Sequence, residues 1–391
     1  MRMWPCLSID FTFSDFLFGA RRCLSRRTNE PIPIHFESEA ERTFLTLSVR
    51  AAFDLYLVAR NYSPQDECIF VGINVPEMVA IARLHGLTVK AVDIDPLSTE
   101  ICLEQLKARL TSCTRFVLVP HLFGARVDLR GLSSIAQQRG IDVIEDCAQA
   151  YSGRSWSGSP TTTASLFSFG PMKTATALQG GIAVVRDPQL RESMQSILAS
   201  YPPQPTWRYF ARLCRFTLLA RFSNPWLYGI VVAVFVRCGI DHEALIHRAT
   251  RSANIVLTGL HRQRPCEALQ CMVRRKLTTG NAHFEKRREA GCLLHSALSQ
   301  SLRIPQRDHH QSAFWVVPVL SHDVDSLKHR LRLAGFDALS SRLVSVGCSE
   351  IEGATELAQA VLLPFAPAMP REELVRLGKL VSKIEASIGE S

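Results

Sequence analysis

A chain of 391 residues is long enough for two or three domains with sizeable cores, at roughly 150 residues per domain. Its composition, 47% apolar and 21% charged, excludes a disordered or fibrous chain, and 45 Lys and Arg against 36 Asp and Glu leave a net charge of +9. That excess is local: residues 205–290 carry 15 basic and 5 acidic side chains, residues 1–30 carry 5 and 3, and the remainder sits at −3. Such a distribution argues against a fold that clasps a polyanion, so no nucleic-acid partner is expected.

Residues 1–30 form an apolar, basic arm in which Asp10 and Asp15 interrupt any signal-peptide-like core, pointing to a cytoplasmic protein. From Ser48 a helix is expected: Val49, Ala52, Phe53, Tyr56 and Leu57 repeat at i, i+3, i+4, i+7, i+8, with Ser48 as N-cap. Strands at 68–71, 89–94, 116–120 and 141–144 then alternate with helices around 75–84, 103–110 and 129–136. This is the rhythm of a mostly parallel sheet covered on both faces. In such sheets ligands sit beyond the carboxyl ends of the strands. Two ends carry chemistry: the strand 141–144 runs into Glu145, Asp146, Cys147, Ala148 and Gln149, and the strand 165–169 runs towards Lys173. Gly180 and Gly181 precede a further strand, and no glycine-rich dinucleotide or P-loop motif is present.

Residues 196–265 read as a basic, apolar insert. Its apolar run from Trp226 to Val236 has 11 residues, short of the roughly 20 that span a bilayer. Trp207, Tyr209, Phe210, Leu213 and Phe216 alternate with Arg208, Arg212, Arg215 and Arg221, as in a helix lying on an anionic membrane surface; a helix buried between domains or subunits has the same pattern. Connecting helices over 266–302 lead to a small α+β domain at 303–391, with a strand at 314–320, a helix at 324–333 closed by Gly335, and a last helix at 372–384. The 12 cysteines lack CxxC spacing and read as free thiols, with no metal site. His121, at a strand end, reads as a structural hydrogen bonder ahead of a site residue, and His309 and His310 as surface.

The ordered run HLFG at 121–124, EDCAQA at 145–150, FSF at 167–169 followed by Lys173, and Gly180–Gly181 resembles the DegT/StrS-type sugar aminotransferases, which depend on pyridoxal phosphate. SVRAAFDLYL, FWVVPVL, LRLAGFDA and VLLPFAPAMPREEL extend the resemblance over residues 40–195 and 262–385. It implies a fold-type-I α/β transferase: a mostly parallel central sheet in a large domain at 31–195, and the smaller C-terminal α+β domain. By resemblance, Lys173 forms the internal aldimine and then moves a proton between the substrate α-carbon and the cofactor C4′. Asp146 holds the ring nitrogen protonated, since an opposite charge at short range favours the charged form. Ser168, Ser48 and the amides of Val49 and Arg50 at a helix start hold the phosphate, Gln149 reaches the ring hydroxyl or the lysine, and Val75 stands where a ring-stacking aromatic is usual. Singly, a loop lysine is an ordinary surface residue and an Asp after a strand a turn former; the motif spacing carries the functional reading.

Departures accompany the match. Besides Val75, Gln179 replaces the acid before the glycine pair, Val49–Arg50 replaces Gly-Thr, and the asparagine motif that reaches in from a partner subunit is not recognisable at 261–265. The resemblance implies transfer of an amino group from an amino acid, glutamate above all, to a keto group of a nucleotide-linked sugar, in a homodimer. Lys173 favours transamination over the dehydration of relatives with His there. The departures motivate an alternative: a catalytically weakened binding or scaffold protein, placed through residues 205–240 at the inner face of the membrane.

Overall fold

The computed structural model describes residues 2–25, 32, 34, 36–37, 42–240, 242–243, 245, 260–278, 280–307, 312–341, 343–346 and 351–389. Seven strands build the central sheet: β1 (Thr43–Thr46), β2 (Glu67–Val71), β3 (Thr88–Val92), β4 (Thr114–Pro120), β5 (Asp142–Asp146), β6 (Ala164–Ser168) and β7 (Gly181–Val185). Their order is β1-β7-β6-β5-β4-β2-β3, and only β7 runs against the others. The expected mostly parallel α/β sheet is therefore present. Its strands are apolar on both faces, as a doubly covered sheet requires; β7 is buried at all five residues.

The helix Val49–Arg60 lies under this sheet, and Ser48 caps it, its Oγ accepting the Ala51 N–H at 3.2 Å. All five residues of the expected stripe are buried. Ala51, Asp54 and Leu55 are buried as well, because the helix Pro188–Ser200 packs on its outer side. Two strand ends shift by a residue or two from the sequence reading, so Asp146 and Ser168 are the last residues of β5 and β6.

The small domain has a three-stranded antiparallel sheet, Val317–Val319, Val361–Leu363 and Leu339–Ser340, with the middle segment central, packed by the helices Ala282–Ala297, Val324–Leu333 and Arg371–Gly389. The strand expected at 314–320 is shortened to Val317–Val319. Phe314 has a left-handed φ of 44°, and the chain before the strand bends over the HLFG loop, where Ala313 N donates to Gly124 O at 2.7 Å and Val316 N to Phe123 O at 3.3 Å. Only a glycine tolerates this crossing: a Cβ on Gly124 would fall 2.5 Å from Trp315 N, and its φ is 113°.

The arm and the insert are built into the body. Trp4–Pro5 pairs with Phe336–Asp337 of the small domain. The helix Phe13–Leu24 opens with a Thr12/Asp15 capping box, and the same Asp15 carboxylate meets Lys276 at 2.6 Å and Arg275 at 3.1 Å. In the insert, the helix Thr206–Ala220 packs against Phe13–Leu24 and Glu267–Thr278 through Tyr209, Leu213 and Phe216. The helix Pro225–Arg237 leaves it after a 91° bend. No single described helix is long and apolar enough to cross a membrane. Eleven cysteines are free thiols; Cys348, His309 and His310 lie outside the described residues.

Candidate active site

The carboxyl ends of β4, β5 and β6 and the start of the helix Val49–Arg60 open into one cavity of about 570 Å³, closed on its far side by the small domain and the insert. This volume suits a small-molecule or cofactor site. Ser48, Val49, Arg50, Val75, Asp146, Gln149, Ser168 and Lys173 all line it, so every candidate cofactor residue reaches the same space.

Asp146 ends β5 buried, and its Oδ1 accepts the Ala148 N–H at 2.9 Å. Burial pushes its carboxyl above the ordinary value, against the opposing pull of that N–H and of the Lys173 charge. A second cation placed against it would hold it ionised. Lys173 stands in the loop after β6 with its Nζ 4.7 Å from the centroid of the Trp315 ring, a cation–π contact. Trp315 Nε1 in turn donates to Met172 O at 2.7 Å and fixes the loop that carries the lysine.

Beside the helix start, Thr46, Gly181 and Ser168 lie in one row across β1, β7 and β6. A Cβ on Gly181 would sit 2.3 Å from the Ser48 carbonyl carbon and 2.5 Å from Val49 N, so a glycine is what lets the helix start reach the sheet. With Ser48 Oγ committed to Ala51 N, the amides of Val49 and Arg50 make no hydrogen bond among the described residues. These are the first donors of a helix, the ones suited to an anion. Asn74 Nδ2 is also buried on the cavity wall with no hydrogen-bond partner among the described residues. Gln149 Oε1 accepts the Phe123 N–H at 2.6 Å, which ties this side chain to the HLFG loop.

The residues next door do something different. Glu145, one residue before Asp146, points to the opposite face and is fully buried, accepting from Ser159 N at 2.6 Å, Thr162 Oγ1 at 2.8 Å and Ser165 Oγ, and meeting His121 Nε2 at 2.8 Å. Burial would raise its carboxyl; the donors from His121, Ser165 and Thr162 outweigh burial and bring it below the ordinary value. His121 Nδ1 accepts the Val127 N–H at 3.1 Å, so both ring nitrogens are engaged. His121, Glu145 and Cys147 are close enough to suggest a metal site, but the imidazole has no lone pair left to offer one. His121 is a structural hydrogen bonder.

Sequence reasoning missed Trp315 and the insert. An aromatic does reach the site, from the small domain and on the lysine side, while Val75 occupies its expected position as the N-cap of the helix Pro76–Leu84. Arg208, Arg212 and Arg215 line the cavity, so part of the insert's charge faces the site. The FW pair at 314–315 and the i, i+4, i+7 spacing of the arginines were the only signals available.

This combination, a seven-stranded sheet of this order with a buried acid and a loop lysine at its carboxyl edge, is the fold-type-I arrangement. Residues 42–212 match the model of the DegT/DnrJ/EryC1/StrS aminotransferase family, and the chain spans well under half the length of the curated relatives it matches. The resemblance drawn from the motifs is borne out. Over 165 residues the chain is 34% identical to an L-glutamine:2-deoxy-scyllo-inosose aminotransferase from Streptomyces fradiae, covering 40% of this chain and 38% of that protein's length. In overall structure it is similar to PseC of Helicobacter pylori, an aminotransferase involved in the biosynthesis of pseudoaminic acid (TM-score 0.71, 15% identity, 99% of this chain and 100% of the other). It is also similar to a sugar aminotransferase from Micromonospora echinospora (TM-score 0.67, 19% identity, 96% and 99%). These structural likenesses establish the fold.

Proposed function

We propose that this chain is a pyridoxal-phosphate-dependent sugar aminotransferase that takes its amino group from glutamate and delivers it to a keto group of a nucleotide-linked sugar. The observation that carries the reading is the convergence of Asp146 and Lys173 on one cavity that Val49, Arg50 and Ser168 also line. The donor set fits the cofactor: an acid for its ring nitrogen, an amine for its aldehyde, and amide and hydroxyl donors for its phosphate. When bound, the cofactor supplies an electron sink for the bond cleaved at the donor's α-carbon.

The protein's own part follows from position. Lys173 is the amine that bonds the cofactor aldehyde. The released Lys173 side chain would be placed to take the donor's α-proton and to give a proton at C4′, and to do the reverse for the sugar. The Trp315 face keeps its cationic form partly out of water without cancelling its charge. Asp146 keeps the ring nitrogen protonated, and its burial strengthens that pairing. Borohydride reduction of the purified protein should fix the cofactor on the peptide carrying Lys173, and adding glutamate should bleach its visible absorbance. A protein that carries no cofactor and yields no labelled peptide would leave only the scaffold reading.

The same proposal places the enzyme in the cytoplasm as a homodimer, at the inner face of the membrane. The support is the helix Pro225–Arg237, which exposes Trp226, Ile230 and Val234, beside Phe222, with Arg221 and Arg237 at its ends and no acidic residue from 205 to 240. Flotation with anionic vesicles at low salt should carry the protein upward, and substituting Trp226 and Ile230 by Ser should abolish it. Sedimentation that finds a monomer would remove the dimer.

A further inference from the structure

We propose that the insert helix Thr206–Ala220 completes the phosphate end of the cavity from within the same chain, with Arg212 and Arg215 facing Arg50 across the phosphate of pyridoxal phosphate. The proposal rests on reading the site as a pyridoxal-phosphate site. Where the resemblance has Gly-Thr after the capping serine, this chain has Val49 and Arg50, and the partner-subunit asparagine motif is not recognisable at 261–265.

Helical geometry is the first support. Arg208, Arg212 and Arg215, at i, i+4 and i+7, share one face, and all three line the cavity. The neighbouring face is locked: Tyr209, Leu213 and Phe216 are buried against the arm and the helix Glu267–Thr278, so the arginine face cannot turn away. Gly19 of the arm is in such close contact that a Cβ there would lie 2.9 Å from a Leu213 methyl.

Second, two hydrogen bonds fasten this helix to the segment that leads into the glycine pair. Tyr209 Oη donates to Ala177 O at 3.0 Å, and Arg212 Nε donates to Leu178 O at 2.6 Å. Gly181 follows three residues later, against the Ser48–Val49 peptide. Arg212 is thereby held beside the helix start at Val49 and Arg50, residues that line the cavity. Phe216 backs both guanidinium groups, with ring centroid distances of 4.9 Å to Arg212 and 5.5 Å to Arg215.

Third, the electrostatics favour an anion there. Burial, and then the neighbouring charges of Arg215 and Arg50, bring Arg212 down to about 10. Guanidinium groups gathered at a cavity wall suit an anion, because they bind phosphate oxygens through paired N–H donors. Arg50, held by Glu77 at 3.2 Å, lines the same cavity.

The test compares pyridoxal phosphate with pyridoxal, which lacks the phosphate, in titrations of the full-length apo-protein read by visible absorbance and by calorimetry. Arg212→Met and Arg215→Met should each weaken pyridoxal phosphate binding by about 10- to 100-fold and leave pyridoxal within about twofold. Arg212→Lys, which keeps the charge, should recover part of the loss and controls for folding together with the circular dichroism of each variant. Inorganic phosphate should raise the thermal midpoint of the wild type and lose this effect in the double Met variant. Equal losses for pyridoxal phosphate and pyridoxal, or unchanged pyridoxal phosphate affinity in both Met variants, would overturn the proposal. If the wild type binds inorganic phosphate at these arginines and binds neither form of the cofactor, the reading of the site fails while the anion wall survives.

Discussion

Glu145 and Asp146 are adjacent carboxylates on β5, one on each face of the sheet, and their surroundings are opposite. Behind the sheet, Glu145 is saturated by three protein donors and by His121, and its ionised form is stabilised by the fold. In front, Asp146 has the Ala148 N–H and the Lys173 charge, and burial raises its carboxyl. A satisfied buried network specifies structure, whereas a buried carboxylate facing a cavity is poised for a cation that arrives from outside. The back of the strand holds the front in place.

The sharpest break of that comparison lies in front. Lys173→Met should lower transamination by at least about 10³-fold in steady-state assays while the thermal midpoint stays within a few degrees of wild type. Behind the sheet the outcome should reverse: Glu145→Ala strands buried donors and should cost about 4 kcal/mol in urea unfolding. Asp146→Asn should reduce kcat by about 10²-fold with little change in unfolding free energy, the loss appearing also as weaker visible absorbance of bound cofactor.

The two carboxylates also have opposite pH signs. Glu145 titrates lower in the folded chain than in the unfolded one. The unfolded state therefore binds more protons below about 4.5, and this contribution to stability is lost as pH falls through that range. Asp146, raised by burial, makes the folded apo-protein bind more protons than the unfolded chain above 3.8. Its contribution is thus fully present below 3.8 and lost as pH rises through its folded value. Differences between wild-type and Glu145→Gln unfolding curves should slope one way with pH, and those for Asp146→Asn the other. The smallest effect belongs to the support of the lysine: Trp315→Phe keeps a ring but loses the bond to Met172 O, and should cost about threefold in kcat with KM unchanged.

Much of this was legible in the residues themselves. The helix capped by Ser48, the strand running into Asp146 and the loop reaching Lys173 are local patterns: capping, apolar runs and short motif spacing act over a few residues, and each sits where that spacing puts it. The division of labour between Glu145 and Asp146 was not readable in the same way. Alternation along a strand sends neighbours to opposite faces, but which face opens to a cavity depends on what the small domain and the insert leave uncovered.

The rest was decided by tertiary structure because it depends on contacts far apart in the chain. Trp315 reaches Lys173 only since residues 312–316 bend over Gly124, nearly 200 residues earlier in the chain. The basic insert was legible as charge and as helix. Its orientation was set by apolar packing of Tyr209, Leu213 and Phe216 on an arm nearly 200 residues earlier in the chain, and that packing turns Arg212 and Arg215 towards the cavity. Sequence patterns specify which surfaces a helix has; only the assembled core determines what each surface meets.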